Sequence, residues 1–133
     1  MYLFDTDALS QVVKSNPSLS FIRKLAAIPP HHQFTTTITV GEMVSGAYKS
    51  NRPTYFLDKL NNLVLPNIQI LPFCEGSAKI YGELRAKLEK KGTPLSDMDV
   101  QIASIALHNN LIAVTGNVRH FSKIPDLRVE NWL

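Results

Sequence analysis

The sequence predicts an α/β sandwich built on a largely parallel sheet. Short apolar or β-branched runs alternate along the chain with longer segments whose apolar residues recur at helical spacing, which is typical of strands joined by crossover helices. Prolines and a glycine fall between these segments, where they end helices. We expect residues 1–133 to form a single domain with a hydrophobic core of its own.

The first half of the chain contains two predicted strands and four predicted helices. Tyr2–Phe4 is apolar and predicts a short buried strand, and the β-branched run Phe34–Thr39 predicts a second one. Asn16-Pro17 and Pro29-Pro30 end the first two helices, and Pro53 suits the first turn of the fourth. The predicted helices cover residues 7–15, 18–28, 40–50 and 54–64.

The second half contains three predicted strands and two predicted helices. Residues 75–92 carry apolar side chains at helical spacing and end at Gly92, and residues 97–109 form a further predicted helix. The predicted strands are Ile68–Phe73, Leu111–Thr115 and an edge strand within residues 127–132.

Composition excludes several classes of protein. A hydrophobic content of 44% and a charged content of 19% indicate a globular chain. No apolar run reaches the roughly 20 residues that span a bilayer, Asp5 and Asp7 interrupt any signal peptide, and the single Cys74 excludes an internal disulfide. We therefore expect a cytoplasmic protein without a membrane partner. The net charge of +3 permits a polyanionic partner.

Acidic residues concentrate in three short segments. The first, Leu3–Leu9, reads LFDTDAL and places two carboxylates directly after the first predicted strand. Glu42 lies in the helix after the second strand, and Asn117 follows Leu111–Thr115. Because ligands bind at the carboxyl ends of parallel strands, these side chains could all face one edge of the sheet. The segments hold five of the eleven acids, namely Asp5, Asp7, Glu42, Asp97 and Asp99.

Each acid alone has a structural explanation. Thr39 and Glu42 have the spacing of a capping box, as do Ser96 and Asp99, and Asp7 could cap the first helix. Together, however, such acids would repel one another unless a cation neutralised them. Mg²⁺ or Mn²⁺ binds to carboxylate oxygens, activates water and stabilises the charge on a phosphate. The pattern therefore favours phosphate-ester chemistry, with basic residues available to hold a nucleic acid.

Four segments, in this order, resemble the blocks of a PIN-domain nuclease: YLFDTDALS, TTTITVGEMVSGAYKS, YGELRAKLEKKGTPLSDMDVQIASIAL and AVTGNVRHFSKIPDLRVENW. The resemblance extends over nearly the whole chain and is greatest to VapC toxins of type II toxin–antitoxin pairs. Its final block resembles the branch that cuts initiator tRNA. The resemblance implies a PIN-like three-layer α/β/α sandwich and a Mg²⁺- or Mn²⁺-dependent endoribonuclease. It also implies a VapB-type antitoxin as partner and a homodimer.

The resemblance also assigns roles to residues. Asp5, Glu42 and Asp99 match the three acids of the family, and Asn117 stands at the fourth position, where many members have Asp. All four are predicted metal ligands, with Glu42 alternatively the base that orients the attacking water. The remaining candidates support the site: Thr6, Asp7, Asp97 and Thr115 as possible outer-shell residues or helix caps, and Arg119 as an RNA contact.

Other interpretations stay open at this point. Asp5-Thr-Asp7 resembles the start of a haloacid-dehalogenase-type phosphatase, although Leu9 stands where that class has Thr or Val. Asn117, in place of an acid, leaves room for a noncatalytic PIN-like RNA-binding or scaffold module. His120 could be an acid catalyst, but a surface position is the more ordinary expectation for it.

Overall fold

In the computed structural model, which describes residues 1–133, the centre of the molecule is a five-stranded sheet. Its strands are β1 (Tyr2–Phe4), β2 (Gln33–Thr36), β3 (Gln69–Leu71), β4 (Ile112–Val114) and β5 (Val129–Glu130). They lie in the order β3-β2-β1-β4-β5, and all four neighbouring pairs are parallel. The predicted parallel sheet is confirmed, and the last strand lies at an edge as expected.

Helices cover both faces of this sheet. Consecutive residues of β1 point to opposite faces, so fully buried Leu3 packs into one apolar cluster and fully buried Phe4 into another. The Leu3 cluster is filled by α5 (Glu75–Lys90) and α6 (Asp97–His108), and the Phe4 cluster by α1 (Thr6–Leu9) and α2 (Leu19–Ala26). These two cores make the fold a three-layer α/β/α sandwich, as predicted.

Three further helices complete the chain: α3 (Thr37–Lys49), α4 (Pro53–Lys59) and α7 (Val118–Phe121). α4 continues as a π-helical turn over Leu60–Val64 and a 3₁₀ turn over Leu65–Asn67, and other 3₁₀ turns cover Ser10–Val12 and Pro30–His32. No helix is both long enough and apolar enough to cross a bilayer.

Most elements are a few residues shorter or shifted, and the structure differs most from the prediction in three places. The second strand ends at Thr36, not Thr39, because the Thr36 hydroxyl accepts a hydrogen bond from the Thr39 N–H (3.0 Å) and starts α3. The first predicted helix, residues 7–15, is only one α-turn followed by a 3₁₀ turn. Helix α7 lies in a segment for which no helix was predicted.

Gly92 ends α5 in the way its position predicts. Its φ of +69° is left-handed, its N–H donates to the Glu89 carbonyl, and the next N–H, from Thr93, reaches back to Leu88. This is the Schellman arrangement, in which a side chain at Gly92 would be strained.

Candidate active site

Three of the four predicted site residues follow adjacent strands of the sheet. Asp5 comes directly after the central strand β1, Glu42 lies in α3 after β2, and Asn117 follows β4. Asp99 is near the start of α6. Parallel strands bring their carboxyl ends to one edge, and the structure thereby gathers polar groups that are far apart in the sequence. We call Asp5, Glu42, Asp99 and Asn117 the acidic site.

Asp5 is the most buried member of the acidic site. It caps α1: its Oδ1 accepts a hydrogen bond from the Ala8 N–H (2.9 Å), and its Oδ2 accepts one from the Thr115 hydroxyl. Only 5% of the residue is exposed. Burial raises the pKa of this carboxyl to about 6, the two hydrogen bonds partly oppose the rise, and the charges of Asp7 and Asp99 add to it. The structure therefore holds a carboxylate that is costly to ionise.

Glu42 is linked to the first helix through a hydroxyl. The Thr6 Oγ1–H donates to Glu42 Oε1 at 2.7 Å, which fixes one carboxylate oxygen beside the residue that follows Asp5. The capping-box interpretation of Glu42 is wrong, because α3 begins before Thr39 and is capped by Thr36. Glu42 consequently points its carboxylate towards α1, and Thr6 is its direct partner.

Asp99 and Asn117 meet around His120. The His120 Nδ1 lies 2.7 Å from Asn117 Nδ2 and 3.9 Å from Asp99 Oδ2. The Asn117 N–H donates to Thr115 Oγ1 (2.9 Å), and the Thr115 hydroxyl donates to Asp5. A chain of contacts thus joins Asp5 through Thr115, Asn117 and His120 to Asp99.

The His120 side chain is 46% exposed, in keeping with the surface position expected for it, and its ring also contacts the acidic site. The i, i+3 spacing from Asn117 was the signal that could have revealed this, since one helical turn brings such residues together. The short helix α7 had to be recognised before the spacing could be used.

Asp7 and Asp97, the two acids outside the acidic site, occupy different environments. Asp7 is exposed in the first turn of α1, near enough to Asp5 to raise its pKa. It is not the cap of α1, because Asp5 is. Asp97 is directed to α5, where it accepts a hydrogen bond from the Tyr81 hydroxyl (3.1 Å) and pairs with Arg85 (3.4 Å). Ser96, and not Asp97, caps α6.

The donor chemistry of the acidic site suits a hard cation, since every proposed ligand offers oxygen. No three Asp, Glu, His or Cys side chains are arranged to hold an ion together. Mg²⁺ commonly binds through one or two carboxylates and keeps several waters, so the donor set fits this mode of binding, which does not need a closed protein cage.

A cleft and a basic side chain border the site. The cleft has a volume of about 330 Å³ and runs between α1, α3 and α4, with Thr6 and Glu42 at one end and Phe56 and Leu60 among its apolar lining. Arg119 is exposed in α7, two residues after Asn117. The acidic site thus opens onto a concave surface at Glu42, and an exposed arginine follows Asn117 two residues later in the sequence.

The chain as a whole matches one known class of protein. The family model of the PIN domain matches residues 2–127. The chain belongs to the PIN-domain family, whose ribonucleases generally depend on divalent metal ions.

Similar proteins identify the branch of the PIN-domain family to which the chain belongs. Ribonuclease VapC2 of Rickettsia felis is 31% identical over 133 residues, which cover 99% of this chain and 98% of the relative. The tRNA(fMet)-specific endonuclease VapC of Salmonella typhimurium is 30% identical over 131 residues, covering 98% and 97%. A chain in the crystal structure of VapBC2 from Rickettsia felis, which was solved bound to a promoter DNA fragment, superposes on this one with a TM-score of 0.91. The two are 30% identical, and the match covers 99% of this chain and 98% of the other. Within the PIN family, the chain is a VapC ribonuclease of the toxin–antitoxin type.

Proposed function

We propose that this VapC ribonuclease cleaves RNA at the acidic site with Mg²⁺ or Mn²⁺, and that residues 1–133 constitute one catalytic domain. The observation that carries the proposal is the burial and raised pKa of the Asp5 carboxyl. A carboxyl that is 5% exposed, with a pKa raised to about 6 and two other acids nearby, is unfavourable as an anion. A divalent cation bound to these carboxylates would neutralise their charge and remove that cost.

Each residue of the acidic site has a separate proposed role. Asp5 and Asp99 would bind the ion, with Asn117 adding a neutral oxygen. When bound, the ion would generate a nucleophilic water and stabilise the charge on the scissile phosphate. Glu42, whose carboxylate is held by Thr6 at 2.7 Å, would accept a proton from the attacking water or bind the ion. Thr115 keeps Asp5 in place and supports its ionised form.

The substrate is RNA, and we propose a tRNA. The Salmonella relative is named as tRNA(fMet)-specific, and this chain matches it over nearly its whole length. Exposed Arg119 beside the acidic site would hold a phosphate of the substrate. Because tRNA is a cytoplasmic substrate, we also propose a cytoplasmic location for the enzyme.

A second protein is expected to control this activity. Solved relatives include VapBC complexes from Rickettsia felis and Salmonella typhimurium, so we propose a VapB-type antitoxin as partner. We also propose a homodimer. Tyr48 in α3 is 68% exposed and available for its interface, whereas Leu60 is 2% exposed and belongs to the core.

The test measures cleavage of total RNA, and then of purified tRNA, with Mg²⁺ or Mn²⁺ and with EDTA. Cleavage is expected to need the metal and to disappear in Asp5→Asn and Asp99→Asn. Asp97→Asn is the matched control: it removes an acid from the same helical turn, but one that contacts Tyr81 and Arg85. Its cleavage should remain close to that of the unmodified protein.

Two results would contradict this function. Cleavage that survives Asp5→Asn would exclude the metal mechanism. RNA binding without cleavage in the presence of any metal would instead support the noncatalytic PIN-like module. The amide of Asn117, in place of an acid, is the one feature that favours this alternative.

A further inference from the structure

Asn117 and His120 form a pair whose purpose the proposed reaction leaves unexplained. The Asn117 Nδ2 and His120 Nδ1 atoms are 2.7 Å apart, a full-strength hydrogen bond. The backbone fixes both partners, since the Asn117 N–H donates to Thr115 Oγ1 and the His120 N–H donates to the Asn117 carbonyl. These bonds hold the backbone on both sides of the pair, and the contact between the side chains bears on the orientation of the Asn117 amide.

That orientation matters for a cation ligand. An aspartate presents an oxygen whichever way its carboxylate turns, whereas an asparagine presents either its oxygen or its NH₂ group. An NH₂ group turned towards a divalent cation would repel it. An Asn at a metal site therefore needs a neighbour that recognises which end of the amide is which.

The imidazole of His120 can supply that recognition. With its proton on Nε2, the neutral ring has a lone pair on Nδ1 and accepts a hydrogen bond only from the NH₂ end of the amide. The reversed amide would place its oxygen against that lone pair. The 2.7 Å contact thus turns the Asn117 oxygen away from the ring.

We propose that His120 is a positioning residue that orients the Asn117 amide so that its oxygen is available to the divalent cation. The inference rests on the proposed function, because it presumes a metal ion at the acidic site. It also explains why one of the four proposed ligands can be an amide when the other three are acids. The pair Asn117 and His120 replaces the charge of a carboxylate with a fixed dipole.

The first experiment measures Mn²⁺ affinity directly, by the electron paramagnetic resonance signal of free Mn²⁺ in a titration of the full chain. His120→Phe keeps an aromatic ring and loses the acceptor. We expect Mn²⁺ binding about 10- to 100-fold weaker, the usual effect of removing an orienting partner. His31→Phe is the matched control, because His31 is exposed before β2, at the opposite end of the strand.

The second experiment is a double-mutant cycle with Asn117→Asp. A carboxylate needs no orientation, so His120→Phe should change Mn²⁺ affinity by no more than about twofold when it is combined with Asn117→Asp. A loss of equal size in both backgrounds would show that His120 binds the ion itself or only stabilises the fold, and would overturn the proposal. An unchanged affinity in His120→Phe alone would overturn it too.

The results separate this inference from the function beneath it. If the unmodified protein binds Mn²⁺ and cleaves RNA, but the cycle shows no coupling, only the role of His120 fails. If the unmodified protein neither binds Mn²⁺ nor cleaves, both proposals fail. Nuclear magnetic resonance adds an independent readout, because ¹⁵N shifts of His120 should show the proton on Nε2. A proton on Nδ1 in the metal-loaded protein would contradict the proposed hydrogen bond.

Discussion

Replacing Asp5 by Asn should make the metal-free protein more stable while it abolishes catalysis. The carboxyl of Asp5 is buried, and burial together with the charges of Asp7 and Asp99 raises its pKa to about 6. A neutral amide avoids this cost. It can also keep the two hydrogen bonds, accepting from the Ala8 N–H with its oxygen and donating to Thr115 Oγ1 with its nitrogen.

The size of the effect follows from the pKa. A rise from 3.8 to about 6 corresponds to a cost of about 3 kcal/mol for the ionised form. Allowing for imperfect hydrogen bonds to the amide, we expect Asp5→Asn to add about 1–2 kcal/mol to the free energy of unfolding at pH 7.5. For 133 residues, an unfolding entropy of about 2.1 cal/mol/K per residue converts each kcal/mol to about 4 °C in Tm.

The pH dependence has a definite sign. Between pH 3.8 and about 6 the folded protein binds more protons at Asp5 than the unfolded chain does, so its stability falls as the pH rises through that window. The advantage of Asp5→Asn should be full at pH 7.5 and vanish only below pH 3.8, where the carboxyl is protonated in both states.

Differential scanning calorimetry after removal of metal with EDTA measures this difference. After removal of the chelator, added Mn²⁺ should raise the Tm of the unmodified protein and leave Asp5→Asn unchanged, which reduces or reverses the difference. A metal-free Asp5→Asn protein that melts below the unmodified one at pH 7.5 would refute the claim that this buried charge is costly.

Three other perturbations test neighbouring features. Thr115→Val removes a hydrogen bond that lowers the pKa of Asp5, so the acid limb of the pH–rate profile should move to higher pH, while Thr115→Ser leaves it in place; an unmoved limb in the valine variant would contradict this role. Arg119→Ala should raise KM several-fold with little change in kcat, and the salt dependence of RNA binding should lose about one phosphate contact; an unchanged salt slope would exclude Arg119 from the RNA path. Gly82→Ala, in open space on α5, should stabilise by about 1 kcal/mol, whereas Gly92→Ala, at φ +69°, should destabilise by about 1 kcal/mol in urea unfolding; two shifts of the same sign would contradict the helix-end assignment.

The sheet could be predicted from the sequence because its physical signals are local. Apolar runs such as Tyr2–Phe4 and helical periodicity along α5 are visible without tertiary information. The end of β2 was misplaced because Thr residues suit strands and helix caps alike, and only the hydrogen bond from Thr39 to Thr36 decides between them.

The acidic site could be predicted only as a set of residues. The positions of Asp5, Glu42 and Asn117 after neighbouring strands follow from parallel topology. The partners of each side chain do not follow, because they depend on rotamers and on short helices. The contact of Glu42 with Thr6, the turn of Asp97 towards α5, and the approach of His120 to Asn117 are all of this kind. The roles of these residues in catalysis remain predictions.

The placement of β1 at the middle of the sheet has a consequence for biosynthesis. Asp5 leaves the ribosome early, but Thr115 follows 110 residues later, and the ring of Trp132 packs against Tyr2 and Phe4. Until β4 is made and inserted beside β1, the nascent chain lacks the hydroxyl that holds Asp5 and the amide of Asn117. A chain translated only as far as β3 therefore lacks part of the acidic site, and the site can assemble only after β4 has been made.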